Sequence, residues 1–156
     1  MVGKWHLGHA DQNFWPRNRE FDYFYGNTVG EVDYFTHKRA GIVDWQRNGK
    51  FFDEKGYYFD LIGDDAVRLI DKQPKDKPFL LYFASLAPHA RYQAPKADED
   101  RYAATIKDST RRTYAAVTTP RSLASKAFDS EQACGYWLQT RRNTAWVTSL
   151  RGRVFQ

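Results

Sequence analysis

Lys77-Pro78-Phe79-Leu80-Leu81-Tyr82-Phe83-Ala84-Ser85-Leu86-Ala87-Pro88-His89 decides the fold. Phe79 to Ala84 is apolar without alternation, the pattern of a strand covered on both faces, as in a mostly parallel sheet. Upstream, Ile62, Ala66, Leu69 and Ile70 fall at i, i+4, i+7 and i+8, which predicts a helix with one apolar face. Asp60 is the expected N-cap, Asp64 and Arg68 form an expected i,i+4 surface pair, and the helix should end near Lys72 before Gln73-Pro74-Lys75-Asp76-Lys77-Pro78. Helix, short charged loop and buried strand make an α/β unit, in which ligands bind beyond the carboxyl ends of strands. His89 follows the strand and so stands where a functional histidine is expected.

Outward from this unit the signals thin. Fifteen of the 26 aromatic residues lie in the first 60 positions, irregularly spaced among Gly and Asn, which reads as short strands and long loops. Asn48-Gly49, inside Trp45 to Phe52, predicts a hairpin with a tight primed turn. A second helical stretch is expected over residues 97–116. From Val117 onward neither period holds, Pro120, Cys134 and clustered Arg appear, and no fold is visible.

The 156 residues suit one domain, and their mean hydropathy of −0.75 describes a polar chain. The longest nearly apolar run, residues 79–87, falls well short of the roughly 20 residues that span a bilayer. No basic segment followed by an apolar one opens the chain, so a precursor with its leader in place is not expected, and one cysteine cannot make an internal disulfide. The net charge of +5 is uneven. Residues 1–116 hold 18 Lys/Arg against 17 Asp/Glu, and residues 117–156 hold 6 against 2, which argues against a nucleic-acid-binding face on the main body.

Gly3-Lys4-Trp5-His6-Leu7-Gly8-His9 is the second candidate for chemistry. A cation and an imidazole two residues apart on an extended segment point to one side, where they can neutralise an oxyanion and move a proton. A zinc site from His6, His9, Asp11 and His37 matches no recognised ligand spacing. Arg141-Arg142 and Arg151-Gly152-Arg153 beside Trp137 and Trp146 have the composition of a single-stranded nucleic-acid binder, against the simpler reading of an unstructured tail.

Taken in order, these segments resemble the sulfatase family. Gly3-Lys4-Trp5-His6-Leu7-Gly8 resembles its second signature. Phe21-Asp22-Tyr23-Phe24-Tyr25-Gly26 and Val32-Asp33-Tyr34-Phe35-Thr36-His37 resemble the segment that follows. Residues 60–67, Lys77-Pro78-Phe79-Leu80-Leu81-Tyr82, Ala87-Pro88-His89 and Gln93-Ala94-Pro95 are similar to the family's next helix, strand and histidine loop. The likeness is greatest to arylsulfatases of the N-acetylgalactosamine-4-sulfatase type.

It implies an alkaline-phosphatase-like α/β fold, here incomplete, with a mixed sheet flanked by helices. It also implies hydrolysis of a sulfate ester, most plainly on a sugar, with neither nucleic acid nor membrane as partner. Lys4 would contact the sulfate and the oxygen of a formylglycine nucleophile. His6 would take the formylglycine hydroxyl's proton, and His89 would meet the sulfate and the leaving-group oxygen.

The family's nucleophile comes from a Cys/Ser-x-Pro-Ser-Arg motif beside a calcium ion, and neither that motif nor the Asp-Asn-Gly calcium segment occurs here, so this chain supplies no metal ligand. The resemblance thus implies an internal slice of a catalytic domain over 1–116, inactive alone and marginal in folding, with Met1 an internal methionine and 117–156 a divergent or frameshifted tail. Family members are commonly exported, which leaves localisation open. The alternatives are a phosphate or phosphonate ester hydrolase of the same superfamily, and a non-catalytic carbohydrate- or polyanion-binding module.

Overall fold

In the computed structural model the described residues are 1–74, 76–118, 135–140 and 143–149, the last two as strand backbone. Strand β1 (Val2–Lys4) lies between β2 (Tyr25–Asn27) and β7 (Leu80–Ala84) and runs parallel to both. The carboxyl ends of all three therefore open on one edge of the sheet. Beyond β2 the sheet continues antiparallel through β5 (Gln46–Arg47) and β6 (Lys50–Phe51), and beyond β7 through β9 (Asn143–Ser149) and β8 (Gly135–Thr140). A separate hairpin is formed by β3 (Lys38–Arg39) and β4 (Ile42–Val43). The sheet is mixed and carries helices, as a partial α/β fold should.

Helix α1 (Tyr58–Lys72) buries Tyr58, Phe59, Ile62, Ala66 and Ile70 in a core shared with Val2, Tyr25, Tyr34, Trp45, Leu81 and Phe83. It starts two residues before Asp60, which sits in its first turn. The N-cap is Tyr57, with no side-chain bond, because the Tyr34 carbonyl accepts from the Tyr58 N–H at 2.8 Å and tertiary contact replaces the expected cap. Arg68 gives its guanidinium to Asp65, at 2.7 Å; buried Asp65 also accepts from the Tyr23 hydroxyl, tying the helix to the segment before β2. The predicted surface pair with Asp64 missed this partner.

A second, smaller cluster of Met1, Trp5, Phe24 and Ala84 forms with Phe21 and Tyr82 packed against it. Strand β7 is accordingly buried at Leu81, Phe83 and Ala84, while Leu80 is 62% exposed, so the expected two-sided cover stops short of the strand's first residue. The strand has β1 and β9 as neighbours.

The Asn-Gly hairpin forms as read: Asn48 and Gly49 both take positive φ, at 52° and 88°. The single helix expected over 97–116 is two, α2 (Lys96–Asp100) and α3 (Ser109–Thr118). Asp108 provides the break. Its side chain accepts from the Arg111 N–H at 2.7 Å and its carbonyl from the Arg112 N–H, so the chain restarts a helix there. Strands β8 and β9 pair in the tail, where no period was visible; Tyr136-Trp137-Leu138 and Ala145-Trp146-Val147 are nonetheless strand-favouring residues. Cys134, Arg141, Arg142, Arg151 and Arg153 lie outside the described residues.

Candidate active site

The site is built at the carboxyl ends of β2, β1 and β7. Gly3 brings the strands together: it has φ 103°, and a Cβ placed on it would lie 2.0 Å from the Ala84 carbonyl oxygen. Lys4 ends β1 and is only 9% exposed; burial pushes its pKa down, with Glu31 working in the opposite direction. After Lys4 the chain follows the segment beyond β2, the Trp5 N–H donating to the Asn27 carbonyl and the His6 N–H to the Thr28 carbonyl.

His6 has φ 55°, so strand alternation is not what relates it to Lys4. The backbone turns at His6 and lays the imidazole against Gly30, where a Cβ would stand 2.7 Å from both Cε1 and Nε2. Partial burial lowers the pKa of His6, and Lys4, Arg39, His89 and His9 each lower it further. A histidine so held is neutral near pH 7 and can accept a proton. Lys4, Arg39, His89 and His9 thus all lie within electrostatic reach of His6, with the Glu31 carboxylate acting on Lys4 and standing beside His89.

The segment carrying Gly30 is rigidly held. Buried Asp44 accepts from the Thr28 N–H, the Thr28 hydroxyl at 2.7 Å and the Val29 N–H at 2.7 Å. Asn27 donates to the Val29 carbonyl and accepts from the Tyr58 hydroxyl, which joins this turn to α1.

Replacing Gly30 by alanine is therefore expected to leave the fold within about 1 kcal/mol of its stability, since Gly30 is not among the positive-φ glycines and the obstacle is an exposed ring. The His6 imidazole should leave its seat. Ring-proton NMR of the variant checks this: His6 resonances should move while those of His37 stay put.

His89 arrives from the other side, after β7 and a turn that contains the cis Ala87–Pro88 bond. Its N–H donates to the Leu86 carbonyl and its own carbonyl accepts from the Tyr34 hydroxyl at 3.0 Å. Gln93 fixes the rest of the loop, accepting from the Tyr34 N–H and donating to Asp33 at 2.7 Å. Burial works against the Asp33 charge, but hydrogen bonds from Gln93, Thr36 and Phe35 outweigh it and bring that carboxyl down to about 2.

Lys4, His6 and His89 are thus brought together, and His9 lies within electrostatic reach of His6. Asp11 and His37 are not part of the group. Asp11 caps a short exposed turn by accepting from the Asn13 N–H. His37 is fully buried and stacks on Trp45 with centroids 4.4 Å apart. Among the described residues no group of three or more His, Cys, Asp or Glu side chains is arranged to hold a metal ion. Glu31, Arg39 and Asp44 had no local signal, because each reaches the site from a loop or hairpin whose placement is tertiary.

Strands β1 and β7, with β2 parallel beside them, thus bring a buried lysine and two histidines to one edge of the sheet. The chain belongs to the sulfatase family, whose model, described as Sulfatase, matches residues 1–136. It is 33% identical over 125 residues to mouse arylsulfatase J, a match covering 75% of this chain and 21% of that protein. It is 30% identical over 108 residues to human N-acetylgalactosamine-6-sulfatase, covering 62% of this chain and 20% of the relative.

Among solved structures it is similar to Ps i-CgsB in complex with k-i-k-neocarrahexaose, at 32% identity and a TM-score of 0.65, covering 75% of this chain and 29% of that one. The chain spans about a fifth of the length of these curated relatives. Family membership carries sulfate-ester hydrolysis at the level of the family. No helix among the described residues is long and apolar enough to cross a membrane.

Proposed function

We propose that this chain forms the sulfate-holding half of a sulfatase site whose full-length protein hydrolyses a sulfate ester on a carbohydrate. The observation that carries the reading is the convergence of Lys4, His6 and His89 at the carboxyl ends of adjacent parallel strands. Lys4 neutralises sulfate oxygens, the role a half-desolvated cation performs best. His6, neutral near pH 7, accepts a proton on the attacking side, and His89 supplies one to the oxygen that leaves as the sulfate bond breaks. In net terms water and R–O–SO₃⁻ become R–OH and HSO₄⁻. Support for a carbohydrate comes from the hexaose bound in the similar structure and from the amino-sugar named in several relatives.

Calcium and formylglycine, which the family resemblance brings, find no fit in the described residues: no carboxylate cluster is present there, and the single cysteine, Cys134, is not in the required motif. Both belong to the proposal for the full-length protein, and no step is derived through them. The chain by itself should show no turnover.

Sulfate release from a sulfated oligosaccharide, compared with phosphate release from its phosphorylated counterpart, tests the reading on the full-length protein. Sulfate release is expected. Release of phosphate alone would assign the site to a phosphate ester hydrolase instead.

A further inference from the structure

We infer that Glu31 is a positioning residue that fixes the ring of His89, holding a hydrogen on Nδ1 and turning Nε2 toward the anion. The His89 Nδ1 atom has two acceptors beside it: Glu31 Oε2 at 3.5 Å and the Ala90 carbonyl oxygen at 3.3 Å. Both seek an N–H, so the neutral ring carries its hydrogen on Nδ1 and leaves Nε2 bare.

The two partners are anchored independently. Glu31 follows the 27–30 turn that Asp44 and Asn27 secure, and His89 is held at its N–H by Leu86 and at its carbonyl by Tyr34. Their approach is set by the fold, although His89's side chain is itself 40% exposed. On the site side His89 meets the field of His6, while Glu31 also acts on Lys4, so one carboxylate faces both Lys4 and His89.

The catalytic consequence rests on the reading of His89 as the group at the leaving oxygen. Imidazolium formed beside Glu31 gives its Nε2 proton to that oxygen and returns to the neutral ring with the Nδ1 hydrogen still facing the carboxylate. Proton and charge both balance, and Glu31 itself is not protonated. This is a role through another residue, as second partners of working histidines commonly have.

The test is long-range ¹⁵N–¹H correlation spectroscopy on this chain near pH 8.5, about two units above the ordinary histidine value. The four histidine rings are few enough to assign, and His37, stacked on Trp45, marks each sample as folded. Wild-type His89 should be mainly in the Nδ1–H form. Glu31→Ala, which leaves only the Ala90 carbonyl beside Nδ1, should lower the share of that form, and Glu31→Gln, whose amide oxygen still accepts, should keep it near the wild-type share.

A wild-type ring in the Nε2–H form, or an alanine variant indistinguishable from wild type, would overturn the inference. So would a glutamine variant that behaves like alanine, or a wild-type chain whose His37 is not ring-current shifted. Inorganic sulfate added near pH 7 gives a separate readout. Saturable shifts at Lys4 and His6 support the anion site whatever the His89 tautomer, and their absence with the Nδ1–H form intact would remove the hydrolase reading while leaving the Glu31–His89 contact standing.

Discussion

Gly3→Ala is expected to lower the melting temperature by roughly 10–20 °C. Two independent costs meet at this position. Its φ of 103° lies where a side chain is strained, worth about 1–3 kcal/mol, and the added carbon would stand 2.0 Å from the Ala84 carbonyl oxygen, a backbone atom that cannot rotate away. Forcing β1 and β7 apart adds an overpacking cost of about 1–3 kcal/mol.

Gly41→Ala separates the two terms. Gly41 has φ 82° with nothing within 4 Å of its Cβ position, so only the conformational cost should appear, and the melting temperature should fall by a few degrees. Thermal denaturation followed by circular dichroism of both variants checks the difference. Equal effects would mean that the close approach of β1 and β7 does not matter.

Lys4→Met carries the largest expected effect on chemistry. The methionine chain fills nearly the same volume, and burial already weighs against the Lys4 charge, so the fold should be kept or slightly stabilised. The anion loses its buried cation. In the full-length protein, sulfate release should fall about 10²–10³-fold in kcat, the loss seen when one preorganised oxyanion partner is removed. A drop confined to KM, with kcat intact, would show that Lys4 binds ground and transition states alike and would demote it to a substrate anchor.

How much of this was legible depended on how local each cause is. The Asn48-Gly49 turn was readable because two residues alone set its positive φ angles. Helix α1 was readable from the spacing of Ile62, Ala66, Leu69 and Ile70, but its first turn was not, since the cap is a carbonyl from Tyr34, more than 20 residues away. The break between α2 and α3 turned on Asp108 bonding its own backbone neighbours, a choice that apolar periodicity does not register. Strand β7 read as wholly buried because apolarity says nothing of which end a helix covers, and Leu80 is the residue left out.

Lys4, His6 and His89 were singled out for the residue types and their place beside glycines and a strand end. Their convergence depends on three strands far apart in sequence. Spacing alone suggested that Lys4 and His6 share a strand face; the structure relates them through the left-handed turn at His6 and the bare backbone of Gly30. Glu31 and Arg39 show the limit most clearly. Neither sits in a pattern, and each matters only because tertiary structure places it against a charge from elsewhere. His37 is the converse case: a histidine beside plausible ligands that the fold spends on stacking against Trp45.

The most direct test of the central claim is a titration of this chain with inorganic sulfate near pH 7, followed by NMR at the Lys4 ammonium and at the His6 and His89 rings. Saturable shifts at those three groups, lost in Lys4→Met while the His37 ring stays unmoved, are the predicted result. Shifts that grow without saturation, or that appear at surface lysines and pass over Lys4, His6 and His89, would contradict the assignment of this sheet edge as a sulfate-binding site.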